Sequence, residues 1–508
     1  MFYLFSFPAR DEKRFLPEDL NIDHLRLCDE QVLSGTYRVL DTFDWRLFGN
    51  GLNLFWDNGW LVLANRSDGA VIRQIPAENP PASPDQLPSG PLKSRLAELV
   101  EVRALLSMGE LDLDQRRWAL EDEEEKIHLR LTEAIPANGN APFLLVESLR
   151  GYSESAELVL NQLLERGYRQ LSSGLAEMAF ANGGKTPGDY SGKVLVDLGA
   201  QLPAPIAVRR VMAHLLETAR RNEKGLLEDL DIEFLHDFRV ATRRMRVLMG
   251  HFAGYLPEDL GGRLAEDMKL IGSATNRLRD LDVYLHHADE YVAMLPANLR
   301  DDILPLFQFL KRVRIAALNE VKRRLKDPEY HRTMEYWQSV AQREETPAQM
   351  TDPAISIGEA ASQKIGKRHR QILKQGRAIT PDSPDEALHK LRLSCKKLRY
   401  LLEFFAPLYE AGDLKKVLKA MRRLQNNLGR FNDLCVQIDT LMIFARDLHL
   451  PDMEKQQTHL AIGCLIGQLR SEKEVRRREF SEIFQAFEKQ VGKADFSRAL
   501  RLKEEAQS

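Results

Sequence analysis

The sequence predicts an α+β region of about 180 residues followed by an all-α region built from two repeated helical units. In the first region, short segments alternate apolar and polar residues, as half-buried strands do. Residues 181–205, which read ANGGKTPGDYSGKVLVDLGAQLPAP, are rich in Gly and Pro and are typical of an interdomain linker. Beyond them, one helical pattern occurs twice at a constant offset of 153 residues, which indicates two copies of one supersecondary unit.

The first region is predicted to consist mainly of strands, with two helices. The predicted strands lie at residues 2–7, 36–40, 52–56, 60–64, 118–121, 126–131 and 143–147. The predicted helices lie at 92–108, which follows a loop rich in Pro and Ser, and at 155–166, which follows a Ser cap.

The second region is predicted to be helical nearly throughout, with four helices in each copy, as in helical bundles. In the first copy the predicted helices span about 206–221, 231–253, 257–288 with a break near Gly272, and 299–325. In the second copy they span about 355–374, 383–406, 413–446 and 453–490.

The repeated pattern is clearest at residues 236–252, HDFRVATRRMRVLMGHF, and 389–405, HKLRLSCKKLRYLLEFF. Wound as a helix, each segment has an apolar face and a separate basic stripe about 15 Å long. The stripes consist of His236, Arg239, Arg243 and Arg246 in the first copy and His389, Arg392, Lys396 and Arg399 in the second. Like charges on one helix face repel one another, so an acid-free stripe suggests an anionic ligand. A charged face that is exposed to solvent would explain one such stripe. It explains less well why the stripe occurs at the same positions in both copies.

Further basic residues flank the stripes and complete the predicted anion-binding set. Lys269 and Arg277 are eight residues apart on the next helix, within about 80° of each other, and the offset places Arg422 and Arg430 at the same positions in the second copy. The predicted binding residues are His236, Arg239, Arg243, Arg244, Arg246, Lys269, Arg277, His389, Arg392, Lys396, Lys397, Arg399, Arg422 and Arg430.

The pattern H-x-x-R-[VL]-x-x-[RK]-[RK]-x-R, followed by a helix and R-x-x-D-L-x-V, resembles the CHAD family, the conserved-histidine α-helical domain. The resemblance covers about Pro203 to the C-terminus. It implies two four-helix bundles related by a pseudo-twofold axis, with a basic surface between them that binds inorganic polyphosphate in bacterial and archaeal granules. One departure is that Lys396 and Lys397 replace arginines, which keeps the charge but loses the forked donor geometry.

Two stretches of the first region resemble the CYTH, or triphosphate-tunnel, family, which is often fused to CHAD domains. They are the Leu40-Asp41-Thr42 segment with the glycine and strand that follow it, and LLVESLRGYSESAELVLNQLLERGY. The resemblance implies a tunnel-like antiparallel sheet. Active members open with an E-x-E-x-K strand whose acids hold a divalent metal, as oxygen ligands should. The opening strand here, MFYLFSF, has neither acid nor base, so we expect a degenerate domain without a catalytic or metal site.

One strand of this region could still supply basic groups to a tunnel. Lys126, His128 and Arg130 alternate with apolar residues, so they lie on one face of the predicted strand. That face could equally be open to solvent. The predicted organisation is therefore a degenerate CYTH-like domain at 1–180, a linker at 181–205, and a CHAD domain at 206–508 with bundles at about 206–341 and 354–508.

The charge distribution agrees with a polyanion partner for the second region. Residues 1–200 contain 20 Lys and Arg against 31 Asp and Glu, whereas the remainder contains 52 against 44, a net charge of +8. The four cysteines have no metal-ligand spacing and are expected to be reduced. Without a signal peptide or a long apolar run, the expected location is the cytoplasm, at polyphosphate granules, with no membrane contact.

The sequence therefore predicts an inorganic polyphosphate-binding protein that needs no cofactor. A nucleic-acid backbone binder is the first alternative, but single-strand binders place aromatic residues among the basic ones, and only Tyr400 lies on the basic face. The second alternative is a triphosphate or polyphosphate phosphohydrolase, or a nucleotide-processing enzyme, that acts through the N-terminal domain.

Overall fold

The computed structural model describes residues 2–7, 20, 25–139, 141–149, 151–171, 174–194, 196–257, 260–343 and 355–503. The chain divides into two compact units, Met1–Ser191 and Gly192–Ser508, and this boundary falls within the predicted linker segment. None of the helices in the described part of the chain is both long and apolar enough to cross a membrane.

The first unit is an antiparallel sheet curled into a half-barrel. Its described strands are β1 Phe2–Ser6, β2 Arg26–Asp41, β3 Leu52–Asp57, β4 Trp60–Asn65, β5 Val71–Pro76, β6 Leu106–Glu121, β7 Ile127–Pro136, β8 Phe143–Ser148 and β9 Arg169–Gln170. They are arranged in the order β5-β4-β3-β2-β6-β7-β8-β1-β9. The helices are α1 Arg46–Gly49, α2 Pro91–Val100, α3 Ser153–Glu165 and α4 Leu175–Asn182.

The alternation of side chains along strand β7 places core residues on one face of the sheet and a cleft residue on the other. Leu129 and Leu131 of β7 pack with Val159 and Leu163 of α3, and all four are fully buried. The intervening Arg130 lines the cleft instead. The predicted antiparallel α+β region is therefore confirmed.

One local prediction in this unit was wrong, and several elements were not predicted. The helix expected at 92–108 ends at Val100, because Glu101 adopts a φ of 53°, through which a helix cannot continue. From Leu106 onward the chain is instead a strand, which pairs with β2 along nearly its whole length. The sequence did not predict strands β5 and β9, helices α1 and α4, the first ten residues of β2 or the first three-quarters of β6. For β2 and β6 the reason is that the two strands pair with each other across more than 60 residues, which leaves little local signal.

Within its described residues, the regular structure of the second unit is helical, as predicted. The helices are α5 Ala204–Glu228, α6 Ile232–Phe252, α7 Leu260–Ala274, α8 Asn276–His286, α9 Ala288–Met294, α10 Leu304–Leu325, α11 Pro328–Gln342, α12 Ile357–Arg377, α13 Asp385–Phe404, α14 Ala411–Asp447, α15 Asp452–Gln490 and α16 Lys493–Ala499. The predicted break in the third helix of the first copy occurs at Thr275, between α7 and α8. Helices α9, α11 and α16 were not predicted.

The two copies are related by a pseudo-twofold axis, as residues in contact with their own repeat equivalents show. A residue can contact its own equivalent only at such an axis. Three pairs separated by 153 residues do so: Pro203 with Ser356, Phe252 with Phe405, and Tyr284 with Gln437. The rings of Phe252 and Phe405 have centroids 5.1 Å apart, and the hydroxyl of Tyr284 donates a 2.6 Å hydrogen bond to the Gln437 carbonyl.

Candidate anion-binding site

Helices α6 and α13 carry the two repeated segments and contact each other near the pseudo-twofold axis. Each buries the apolar face that the sequence predicts, with Phe238 and Leu248 of α6 and Leu391 and Leu398 of α13 fully buried. The side chain of Asp231 caps α6 by accepting hydrogen bonds from two backbone N–H groups of its first turn. Burial of these faces fixes the rotation of both helices and therefore the direction of the basic stripes.

The fold brings cations of the two copies together in a central cluster that consists of Arg243, Arg392 and Lys396. Among the described residues, neither Arg243 nor Lys396 forms an ion pair, and Nε of Arg243 is buried without a hydrogen-bond partner. Arg392 is 14% exposed and pairs with Asp433 at 3.2 Å. The stripes predicted separately for each copy therefore meet, and the cluster has more positive than negative charge.

Lys396 shows how strongly the cluster is charged. Burial, together with the nearby guanidinium groups of Arg392 and Arg243, lowers the pKa of Lys396 to about 7. Burial and Arg243 also lower the pKa of Arg392, although Asp433 opposes the shift. A cluster that drives a lysine towards its neutral form in the absence of an anion should gain protons when an anion binds.

The two ends of the cluster differ in their neutralising groups. On one side the carboxylate of Glu403 accepts a 2.8 Å hydrogen bond from Arg244 and lies 3.0 Å from Nε of Arg399. Arg244 also donates to the Gly192 carbonyl at 2.6 Å. On the other side, Arg246 and Lys397 are exposed and form no ion pair with any residue that the structure describes.

Sequence reasoning missed two residues of this second side, Arg368 and His251. Nη2 of Arg368 donates to Nε2 of His251 at 2.7 Å, and burial lowers the pKa of the Arg368 guanidinium. Burial, Arg368 and Lys397 lower the pKa of His251. Arg368 lies on α12, which carries no repeated motif, and its equivalent in the first copy is the apolar Leu215.

Comparison with known proteins identifies the second unit. The family model of the CHAD domain matches residues 210–442. A CHAD domain occupies this part of the chain. Among solved structures, the crystal structure of the CHAD domain from the plant Ricinus communis matches with 25% sequence identity and a TM-score of 0.50, over 62% of this chain and 99% of that one. PptA from Streptomyces chartreusis is also similar, with 17% identity, a TM-score of 0.42 and coverage of 56% of this chain and 99% of that one. No curated protein matches the sequence significantly.

Arg239 of the CHAD domain has a structural role that its position in the stripe did not predict. Its Nη1 donates to the Gly272 carbonyl at 3.0 Å and to Oγ1 of Thr275 at 2.7 Å, so it ties α6 to the break between α7 and α8. Burial and the neighbouring Arg243 lower its pKa to about 10. Arg239 therefore supports the cluster as well as adding charge to it.

The two histidines that head the stripes have different surroundings. His389 is exposed, and its Nδ1 lies 2.5 Å from Oδ1 of Asn432. His236 is half-buried beside Glu233 and Asp237, with one ligand atom from each of the three residues within 4.8 Å of the others. That group could hold a divalent cation, and its acids make the first histidine a weaker candidate for anion contact than the second.

Two of the four residues that flank the stripes, Lys269 and Arg430, are paired with acidic residues. Lys269 pairs with Glu266 at 3.2 Å, and Arg430 donates two hydrogen bonds to Glu472 at 2.6 and 2.5 Å. The hydrogen bonds to Glu472 raise the pKa of Arg430. Within the described part of the chain, Arg277 and Arg422 are exposed and have no acidic partner.

The cleft of the first unit, about 860 Å³ in volume, differs from the basic surface of the CHAD domain because two of its arginines are paired with carboxylates. Arg117 donates to Asp57 at 2.9 Å, and Arg130 lies 3.5 Å from Glu147. His128, the second basic residue expected on that strand face, is buried instead, with its ring stacked on Tyr152.

The remaining motif residues of the first unit also have structural roles. Lys126 is exposed and pairs with Glu124. Asp41, which lies in the segment that resembles the CYTH family, is buried and accepts backbone hydrogen bonds from Thr42, Leu47 and Phe48. Desolvation raises its pKa to about 6, although those hydrogen bonds oppose the shift. Asp41 therefore stabilises the turn into α1.

Proposed function

We propose that the CHAD domain binds inorganic polyphosphate on the basic surface where its two copies meet. The observation that carries this proposal is the central cluster, in which Arg243 of the first copy meets Arg392 and Lys396 of the second, with Asp433 as the one acidic partner among the described residues. A linear polyanion that spans the cluster would supply the missing negative charge to both copies at once. Its regularly spaced oxygens suit a row of guanidinium and ammonium donors.

The surroundings of Tyr400 favour polyphosphate over a single-stranded nucleic acid. Its ring is only 2% exposed and lies beneath the guanidinium groups of Arg243, Arg244 and Arg399, at 5.9, 5.6 and 5.7 Å. An aromatic ring in that position supports the arginines through cation–π contacts but offers no face on which a base could stack. Without base stacking, the ligand should be bound through its phosphate oxygens alone. Association with polyphosphate granules would follow from it.

The test is a binding titration of the full chain with long-chain polyphosphate, with RNA as a competitor. The variant R243A/K396A should weaken binding by roughly 30- to 1000-fold, because it removes two charge-assisted contacts to phosphate of about 1–2 kcal/mol each. The matched control is R323A/R324A, which removes two exposed arginines of α10 that are already paired with Glu320. Equal affinity of R243A/K396A and the wild type would refute the proposal.

A further inference from the structure

The pseudo-twofold axis predicts that every contact between the two copies occurs twice, once on each side of the axis. One of these second contacts is missing. In a twofold arrangement, a contact between residues i and j′ is matched by one between j and i′. The ion pair of Arg244 with Glu403 should therefore be matched by a pair between Lys397 and residue 250. Residue 250 is a glycine, so the second carboxylate does not exist.

The end of the basic surface that contains Glu403 is the less favourable one for a further anion. The Glu403 carboxylate pairs with Arg244 of the first copy and with Arg399 of its own helix, at 2.8 and 3.0 Å, so it cancels one of their two positive charges. The groups that complete this end are apolar, since Leu215 and Phe404, the equivalents of Arg368 and His251, are both buried. An anion that approached here would meet a carboxylate already in place.

The opposite end, which we call the open end, consists of Arg246, Lys397 and Arg368. The three cations have no acidic partner among the residues that the structure describes. His251, which contacts Arg368, adds no charge to this group. Its Nδ1 lies 2.9 Å from the Val247 carbonyl, and its Nε2 lies 2.7 Å from Nη2 of Arg368. The ring is therefore neutral, with Nδ1 as the donor and Nε2 as the acceptor.

We propose that the basic surface has a single open end: phosphate groups bind at Arg246, Lys397 and Arg368, and Glu403 acts as a built-in carboxylate that blocks the symmetric position. This inference rests on the proposed binding of polyphosphate and specifies which end of the surface is used. The open end adjoins the central cluster, because Arg246 lies three residues after Arg243 on the same face of α6. A phosphate chain can therefore extend from the cluster towards the open end, whereas Glu403 repels it on the other side.

Gly250 provides a direct test, because the missing carboxylate can be introduced there. It is exposed, and a Cβ at this position would have nothing within 4 Å, so a side chain fits without rearrangement. Glu also has a higher helix propensity than Gly, so the variant should fold. The experiment compares G250E with G250A in titrations of the full chain with tripolyphosphate and with long-chain polyphosphate.

We expect G250E to weaken binding of both ligands by about tenfold at low salt, because its carboxylate neutralises Lys397 and Arg246. The slope of log affinity against log salt concentration should fall by about one, as expected for the loss of one phosphate contact. G250A should bind as the wild type does. E403Q, which removes the carboxylate charge but keeps an acceptor for Arg244, should bind about threefold more tightly.

The outcomes separate this inference from the proposed function. If the wild type binds polyphosphate and G250E binds as tightly as G250A, the open end is not used and the inference is overturned alone. If the wild type does not bind polyphosphate at all, the proposed function fails, and the assignment of the open end fails with it.

Discussion

The lowered pKa of Lys396 predicts that the affinity for polyphosphate depends on pH. In the free domain its pKa is about 7, because burial and the neighbouring Arg392 and Arg243 disfavour the ammonium form. A bound phosphate should favour that form and restore the pKa towards about 10. Binding above pH 7 must then include the uptake of a proton. Affinity should be constant below about pH 6 and fall at higher pH.

The magnitude follows from the pKa of the free domain. Each pH unit well above it costs about tenfold in affinity, or about 1.4 kcal/mol, until the pKa of the bound state is reached. Between pH 7 and pH 9 the fraction of free domain with a charged Lys396 falls from about one half to about one hundredth. The expected loss of affinity over that range is therefore about fiftyfold.

The measurement is a titration with long-chain polyphosphate at pH 6, 7, 8 and 9 and constant ionic strength. Long chains are used because each internal phosphate keeps one negative charge throughout this range. K396R is the matched control. Its guanidinium stays protonated throughout this range, and the variant keeps every other titrating group of the wild type. The wild-type profile should be steeper than that of K396R by up to tenfold per pH unit. Parallel profiles would refute the assignment of Lys396 as the titrating group.

Two further predictions concern stability and the first unit. R239A should lower the free energy of unfolding by about 1–3 kcal/mol in urea titrations, because the Gly272 carbonyl and Oγ1 of Thr275 lose a buried donor. The exposed R246A should change it by less than about 0.5 kcal/mol, and equal effects would contradict the structural role. We also expect no Mg²⁺-dependent hydrolysis of tripolyphosphate, because the opening strand, MFYLFSF, supplies no carboxylate that could hold a divalent metal. Turnover that a chelator abolishes would contradict this expectation.

Much of the site could be predicted because the repeat fixes both the helix faces and their pairing. The apolar periodicity of α6 and α13 determined which side chains are buried, and the constant offset indicated the pseudo-twofold relation that brings Arg243 to Lys396. The expectation of an acid-free stripe was wrong for the second copy, because Glu403 lies at about 320° on the same helical wheel, among the basic residues of the stripe. Its position four residues after Arg399 is a helix-pairing signal that the sequence does contain.

The contribution of Arg368 could not be found in the same way. It lies on α12, outside the repeated pattern, and only the tertiary packing places it against His251. In the first unit, the wrong helix at 92–108 has a related cause. Its last residues have apolar spacing compatible with a helix, but pairing with Asp41 and Leu40, more than 60 residues earlier, makes them a strand.

The replacement of arginine by lysine in the second copy explains why the two copies are not interchangeable. Arg243 and Lys396 occupy equivalent positions, but only the lysine can lose its proton in the neutral range. The first copy therefore supplies a fixed charge, and the second a charge that depends on whether an anion is present. Glu403 and Gly250 add a second asymmetry, because they close one end of the surface and leave the other open. Inorganic polyphosphate has two equivalent ends, so this asymmetry does not orient the ligand but decides which end of the surface it occupies. The ligand should therefore extend towards the open end, and its affinity should fall as the pH rises.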